Sequence, residues 1–352
     1  MNKFWSSIVG QLDPYVPGEQ PQDQQYIKLN TNESPYPPSL AVAKALAAFD
    51  CENLRRYPDP ESGCLVRALA EYHGLSSPQV FVGNGSDEVL AHAFQALLQK
   101  PAAILFPDIS YSFYPVYCRL YRIEFATIAL GPDFRIDIND YQVGNGGIVI
   151  PNPNAPTGIA LELDAIRQLL EHHRESVVII DEAYVDFGAE SALSLIAEHD
   201  NLLVVQTFSK SRSLAGLRLG AAFGHPALIE ALQRVKNSFN SYPIDALTSA
   251  GAIASLADEA YFQQCRQKVI ASRERLGMAL ARLDFEVFPS SSNFVLVRHA
   301  ERSAESLYLD LKQAGILVRY FNKPRIDNCL RITVGSEAEC DSLVAALQNI
   351  LA

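Results

Sequence analysis

The sequence predicts an α/β protein with a mostly parallel central sheet flanked by helices, followed by a smaller α+β domain. Three observations carry this expectation. Short β-branched runs alternate with amphipathic helical stretches as far as about residue 240. Several of those runs are apolar on both faces, as strands covered by helices on both sides are. Beyond residue 240 the alternation gives way to one long helical region and then to short strands.

The strands are expected at Gln79–Val82, Ala102–Phe106, Ile123–Ala126, Gly147–Ile150, Val177–Ile180, Leu202–Gln206 and Ala221–Phe223. Between them Asp87–Gln99, Glu162–Arg174 and Pro226–Lys236 read as helices, and Asp245–Leu283 has few breakers. The smaller domain is expected to use strands at Phe285–Phe288, Asn293–Val297, Ile316–Arg319 and Leu330–Val334, with a helix near Ser303–Ala314. Ser336-x-x-Glu339 fits a capping box opening a last helix that runs to Leu351. The domain organisation that follows has three parts. Residues 1–30 form an N-terminal segment, rich in proline at Pro14, Pro17 and Pro21, that packs on the boundary between the domains; 31–245 form the large domain; 246–352 form an interdomain helix and the small domain.

At 352 residues, 48% of them hydrophobic, the chain can bury a large core. Its formal charge of −11 argues against a nucleic-acid surface, which needs clustered Lys and Arg, but leaves room for a small basic pocket. None of the six cysteines forms a C-x-x-C pair or stands at metal-ligand spacing with a histidine, so reduced thiols in a cytoplasmic protein without a metal are expected. The first residues, MNKFWSSIVGQLDPY, lack a secretory apolar stretch, and no apolar run approaches the roughly 18 residues that span a bilayer. No membrane or nucleic-acid partner is expected.

Four motifs carry chemistry. "FVGNGSDEVL" (81–90) runs from a strand through Gly-Asn-Gly into a helix. Glycine lets the backbone approach an anion, Ser86 is expected to cap the helix, and first-turn N–H groups face outward. A plain glycine-rich turn would look the same, and the spacing matches neither a dinucleotide fingerprint nor a Walker A loop. In "IVIPNPNAPTG" (148–158) Asn154 stands at a strand's carboxyl end, where open α/β sheets bind ligands, although a tight turn would also use these residues. In "VVIIDEAYVDF" (177–187) Asp181 follows four apolar residues and needs a partner, structural or functional; Tyr184 can face the same crevice. In "TFSKSRSLAGLRLG" (207–220) Lys210 is either a loop lysine or a partly desolvated amine nucleophile. Ser209 and Arg218 beside it suit a phosphate ester. One cofactor uses all these parts together. Pyridoxal 5'-phosphate takes a Schiff-base lysine, a carboxylate on its ring nitrogen, donors to its phenolate oxygen and an anion cradle. Agreement among four weak signals is stronger than any one of them.

These segments, with "KLNTNESPYPPS" (28–39), "RRYPDP" (55–60) and "NCLRITVG" (328–335), follow the order found in the fold-type I pyridoxal-phosphate aminotransferases, which the chain resembles over nearly its whole length. More narrowly it is similar to the histidinol-phosphate aminotransferases. The resemblance implies that Lys210 binds the cofactor and then shuttles a proton. It implies that Asp181 holds the ring nitrogen's proton, that Asn154 and Tyr184 bond the phenolate oxygen, and that Tyr111 stacks on the ring. Gly85, Ser86, Asp87, Ser209 and Arg218 would hold the phosphate, and Tyr57 would reach the phosphate of the other subunit in a homodimer. Arg319 and Arg331 would bind the substrate's anionic end, and Tyr15, Asn32 and Tyr242 would line its pocket. The activity implied is transfer of the amino group of L-histidinol phosphate to 2-oxoglutarate, giving imidazole-acetol phosphate and L-glutamate, in L-histidine biosynthesis. An aromatic or broad-specificity aminotransferase, or a threonine-phosphate decarboxylase, would use the same scaffold. A non-catalytic ligand-binding regulator is a remoter alternative, since the chain has no room for a DNA-binding domain ahead of residue 28.

Overall fold

A computed structural model describes residues 2–352. In chain order its strands are β1 (Ile27–Lys28), β2 (Val80–Asn84), β3 (Ile104–Pro107), β4 (Phe125–Ile128), β5 (Ile148–Pro151), β6 (Val178–Asp181), β7 (Leu202–Thr207), β8 (Leu219–Gly224), β9 (Phe285–Val287), β10 (Phe294–His299), β11 (Ile316–Leu317), β12 (Arg319–Tyr320) and β13 (Leu330–Thr333). Seven of them make the main sheet in the order β2-β8-β7-β6-β5-β3-β4. All run parallel except β8, which is antiparallel to both β2 and β7. The period of two along each strand divides the core. Ile148, Ile150, Val178, Ile180, Leu202 and Val204 pack into one apolar cluster, and Val149, Ile179, Leu203 and Val205 into another on the opposite face. That is why these runs are hydrophobic at every position.

The second sheet is antiparallel, β12-β13-β10-β9, and shares a third apolar cluster with the helices Glu259–Ala281, Ala304–Gln313 and Glu337–Leu351. The capping box at Ser336 forms: Ser336 N–H and Oγ each donate to Glu339 Oε2 at 2.7 Å. Residues near the N-terminus join this unit, because β1 pairs parallel with β11 and Leu29 lies in the same cluster.

Three helices absent from the sequence reading are present, Leu40–Ala47, Gly63–His73 and Tyr114–Tyr121. The last is short and rich in aromatic residues, a weak helix signal that tertiary packing overrides. The long helical region divides into Ala246–Ala257 and Glu259–Ala281, with Asp258 capping the second. Ala252 and Leu256 of the first pack into the main-sheet core, whereas Val269 and Leu276 of the second pack into the small-sheet core. Ser86 does not cap its helix. The helix starts at Gly85, two residues before the expected Asp87, and Asn84 N–H is satisfied by the Glu88 carboxylate at 2.5 Å. No helix among the described residues is long and apolar enough to cross a membrane.

The strand β8 approaches this helix start closely. A Cβ on Gly220 would stand 2.3 Å from Ser86 N and 2.4 Å from the Gly85 carbonyl carbon. Neither is a flexible side chain that can move aside. Gly220→Ala is therefore expected to lower stability by roughly 1–3 kcal/mol, as overpacking does, which a drop in the urea midpoint at unchanged slope would reveal.

Candidate active site

The carboxyl ends of β2, β3, β5, β6 and β7 meet at one edge of the main sheet, where α/β proteins bind ligands. Pro151, Asp181 and Val205 lie in register across β5, β6 and β7. Because β8 runs the other way, its amino end reaches the same edge, with Gly220 opposite Thr207 and Leu219 opposite Asn84. Arg218, just before β8, thereby reaches the helix start after β2 and lines the same cavity as Lys210, which follows β7. A cavity of about 250 Å³ opens there, closed on its far side by Arg319, Phe321 and Arg331 of the small domain.

Asp181 is the last residue of β6 and is buried. Its Oδ2 accepts the Tyr114 hydroxyl proton at 2.8 Å, and its Oδ1 is buried with no partner. Burial pushes its carboxyl up to about 6, against the opposing pull of the Tyr114 hydrogen bond and the Ala183 N–H. Lys210 Nζ donates to the Thr31 carbonyl at 3.2 Å and stands 5.8 Å from the Tyr184 ring centre. The Tyr184 oxygen accepts from Asn32 Nδ2 at 2.9 Å, which leaves the tyrosine proton free to be donated.

Around the helix start, Arg218 pairs with Asp87 at 3.2 Å, and Asp87 accepts the Tyr111 hydroxyl at 2.8 Å. Arg218 adopts a left-handed φ of 54°, and Gly85, at φ 79°, leaves the space its guanidinium occupies: a Cβ there would lie 2.5 Å from Nη2. Ser86 and Ser209 complete this wall. Across the cavity Arg319 and Arg331 sit directly opposite one another on β12 and β13. Like charges in that position repel. Arg331 Nη2 reaches the Asn30 carbonyl at 2.9 Å, its Nε is buried without a partner, and burial with the Arg319 charge pulls its guanidinium down. Among the described residues neither arginine has an ion-pair partner, so this end of the cavity is built for an anion.

Of the residues singled out from the sequence, all but Gly85, Asn154, Tyr57 and Tyr242 line the cavity. Asn154 stands behind the wall, its Nδ2 bonded to the Ile109 carbonyl and Thr157 Oγ1, each at 3.0 Å, and its Oδ1 buried without a partner. Tyr57 is 83% exposed and stacks on Tyr242 at 4.7 Å. Tyr15 reaches the cavity from the N-terminal segment and stacks on Phe113 at 4.9 Å. That segment is tied to both sides: Asp13 pairs with Arg119 at 3.3 Å, and Glu19 holds Lys312 at 2.5 Å and the Tyr308 hydroxyl. Sequence reasoning missed Tyr114, Thr31 and Glu33. The Tyr-x-x-Tyr-x-x-Tyr spacing of 111, 114 and 117 was the available signal for the first.

A mostly parallel sheet with a lysine, a buried carboxylate and an anion cup at one edge defines a class of enzyme, and the chain belongs to the aminotransferase class I and II family, whose model matches residues 24–347. Within that class its relatives point to one activity. The chain is 59% identical to "Histidinol-phosphate aminotransferase 1" of Hydrogenovibrio crunogenus, covering 100% of this chain and 99% of that protein. It is 58% identical to the protein of the same name from Burkholderia pseudomallei, covering 100% of both. The crystal structure of the Sinorhizobium meliloti histidinol-phosphate aminotransferase in complex with pyridoxal-5'-phosphate shares the fold, with a TM-score of 0.89, 24% identity, and coverage of 100% of this chain and 98% of that one.

The raised Asp181 carboxyl has a consequence for the ligand-free protein. A carboxyl whose folded value lies above its ordinary 3.8 favours the folded state when protonated. The folded chain then binds more protons than the unfolded one, so stability falls as pH rises from 3.8 through about 6. Denaturation curves across that window should show a loss of up to about 3 kcal/mol, and Asp181→Asn should remove it.

Proposed function

We propose that the chain is a pyridoxal-phosphate-dependent transaminase that moves the amino group of L-histidinol phosphate to 2-oxoglutarate, giving imidazole-acetol phosphate and L-glutamate, in L-histidine biosynthesis. The observation that carries this is a single cavity joining a lysine, a buried carboxylate with one unpartnered oxygen, and two separate anion sites, in a chain 59% identical end to end to a histidinol-phosphate aminotransferase. The same relatives weigh against the broad-specificity, decarboxylase and regulator alternatives.

The residues fit the cofactor. Asp181 Oδ1 is an orphaned acceptor where a cationic ring nitrogen would satisfy it, and Ser86, Ser209 and Arg218, with room kept by Gly85 and Gly220, form a cradle for a phosphate. When bound, pyridoxal phosphate supplies an electron sink for the carbanion formed at the substrate's α carbon. Lys210 Nζ is the amine that binds the cofactor's aldehyde. The same nitrogen, when free, would take a proton from the substrate carbon and return it, working as general base and then general acid. Asp181 holds the ring-nitrogen proton. Tyr184 donates to the phenolate oxygen with the proton that Asn32 leaves free. Tyr111, anchored on Asp87, flanks the ring. Asn154 supports the turn whose neighbours Ala155 and Pro156 face the cavity.

Arg319 and Arg331 take the substrate's anionic end. Forked guanidinium groups accept a phosphate or a carboxylate equally well, so one site serves histidinol phosphate and glutamate in turn. Tyr15 and Asn32 close the pocket around the imidazole. Tyr57 and Tyr242, stacked together away from the cavity, serve the site of a second copy: a homodimer would bring Tyr57 to the partner's cofactor phosphate. The large domain then runs from about residue 31 to Ala257, with the break in packing at Asp258. The cytoplasm is the setting this reading implies.

The visible spectrum tests the reading. The purified protein with pyridoxal phosphate should be yellow, and both L-histidinol phosphate and L-glutamate should discharge the colour. Discharge by glutamate alone would retain the chemistry and reject the substrate. Lys210→Ala should lose turnover by at least about four orders of magnitude, since nucleophile and base are one group; near-wild-type turnover would reject its role. Sedimentation should give one species at twice the 38.8 kDa chain mass, and Tyr57→Phe should weaken cofactor retention without changing that mass.

A further inference from the structure

We propose that Tyr114, which no motif marked, is a positioning residue for this site: its hydroxyl aims the free oxygen of Asp181 and holds its charge for the cofactor's ring nitrogen. The inference rests on the reading of the cavity as a pyridoxal-phosphate site.

The geometry is restrictive. Tyr114 is wholly buried, and its ring is held between Phe94, at 6.0 Å and 25°, and Phe106, at 5.7 Å and 65°, with Tyr111 edge-on at 5.7 Å. The hydroxyl therefore has one place to go, Asp181 Oδ2 at 2.8 Å. With that oxygen fixed, the carboxylate cannot rotate freely, and Oδ1 is the atom left unpartnered. The groups that face Asp181 make the hydroxyl more important still. Asp87 opposes its ionisation, Tyr117 is a neutral phenol, and only Tyr114 and the Ala183 N–H favour the charged form. No protein cation stands against it among the described residues.

Tyr114 is also the middle of a ladder. Tyr111 donates to the Asp87 carboxylate and Tyr117 to the Asp87 carbonyl, both at 2.8 Å, while Tyr114 N–H bonds the Tyr111 carbonyl at 3.2 Å. One short segment thus sets the carboxylate at the ring-nitrogen end and the residue that orients Arg218 at the phosphate end. The alternative is a core tyrosine whose hydroxyl needs some acceptor, as buried phenols do, and for which Asp181 is incidental.

Tyr114→Phe separates the two, since it keeps the ring and removes only the O–H. A hydrogen bond to a charged group corresponds to about a 10- to 100-fold change in an equilibrium. Pyridoxal phosphate should therefore be released from the variant holoenzyme with an affinity weakened about 10- to 100-fold. The pH midpoint of the bound cofactor's visible band should move upward, because a less firmly held ring-nitrogen proton withdraws less charge from the reactive carbon. A variant with lower urea stability but wild-type cofactor affinity and an unmoved midpoint would overturn the proposal. The double variant Tyr114→Phe/Asp181→Asn provides the second measurement, because an amide does not require the O–H to stay buried. It should bind pyridoxal phosphate about as well as Asp181→Asn alone, and a further tenfold loss would overturn the proposal. Failure of the wild-type chain to bind the cofactor would instead refute the underlying reading, so the two failures are distinguishable.

Discussion

A carboxylate buried at the end of a strand that is apolar on both faces governs the rest of the site. An isolated charge in such a place is costly, and a group left there without partners neutralises instead. Asp181 is given a phenol and a backbone N–H, and no cation. The arginines of the cavity are gathered elsewhere, Arg218 at one end and Arg319 with Arg331 at the other. The result is a cation-seeking point set among anion-seeking ones. A ligand with a protonated ring nitrogen and a phosphate, joined to a second molecule carrying a phosphate or carboxylate, matches that pattern of charge. A nucleotide or a purely acidic ligand would not.

Much of the fold was legible because two periodicities survive in the chain. Strands β3, β5, β6 and the first four residues of β7 stand out as short apolar runs buried on both faces, and the switch to helix-rich texture marked the second unit. The site was legible where charged residues stand at strand ends: Asp181 follows an apolar run directly, and Lys210 comes three residues after β7, in places where a charged side chain calls for a reason. The capping box at Ser336 was legible because its signal is entirely local.

What was not legible depends on distant contacts. The helix Tyr114–Tyr121 has poor intrinsic propensity and exists because its aromatic face is buried on Phe94 and Phe106. The face-to-face placement of Arg319 and Arg331 depends on the β12–β13 register, which no spacing along the chain displays. Asn154 stands just past the carboxyl end of β5, and its Nδ2 bonds both Thr157 of its own turn and the Ile109 carbonyl, 45 residues away. A strand end locates a residue to within a few ångströms, but which way its side chain points is decided by neighbours remote in sequence.

The reversed strand β8 has a consequence beyond placing one arginine. In a sheet with only parallel neighbours, each return to the active edge needs a crossover, and successive active-site groups would be separated by long excursions. Running β8 backwards removes the excursion, so Lys210 and Arg218 hang from the two arms of one local return. Their spacing is inherited from a compact supersecondary unit of low contact order, which can assemble early. Arg319 and Arg331 belong to another sheet, so their place at the cavity depends on how that unit packs on the first. The two ends of the cavity thus rest on structural units of different autonomy, and a mutation that loosens the contact between those units would spare the end formed by Lys210 and Arg218 while displacing Arg319 and Arg331.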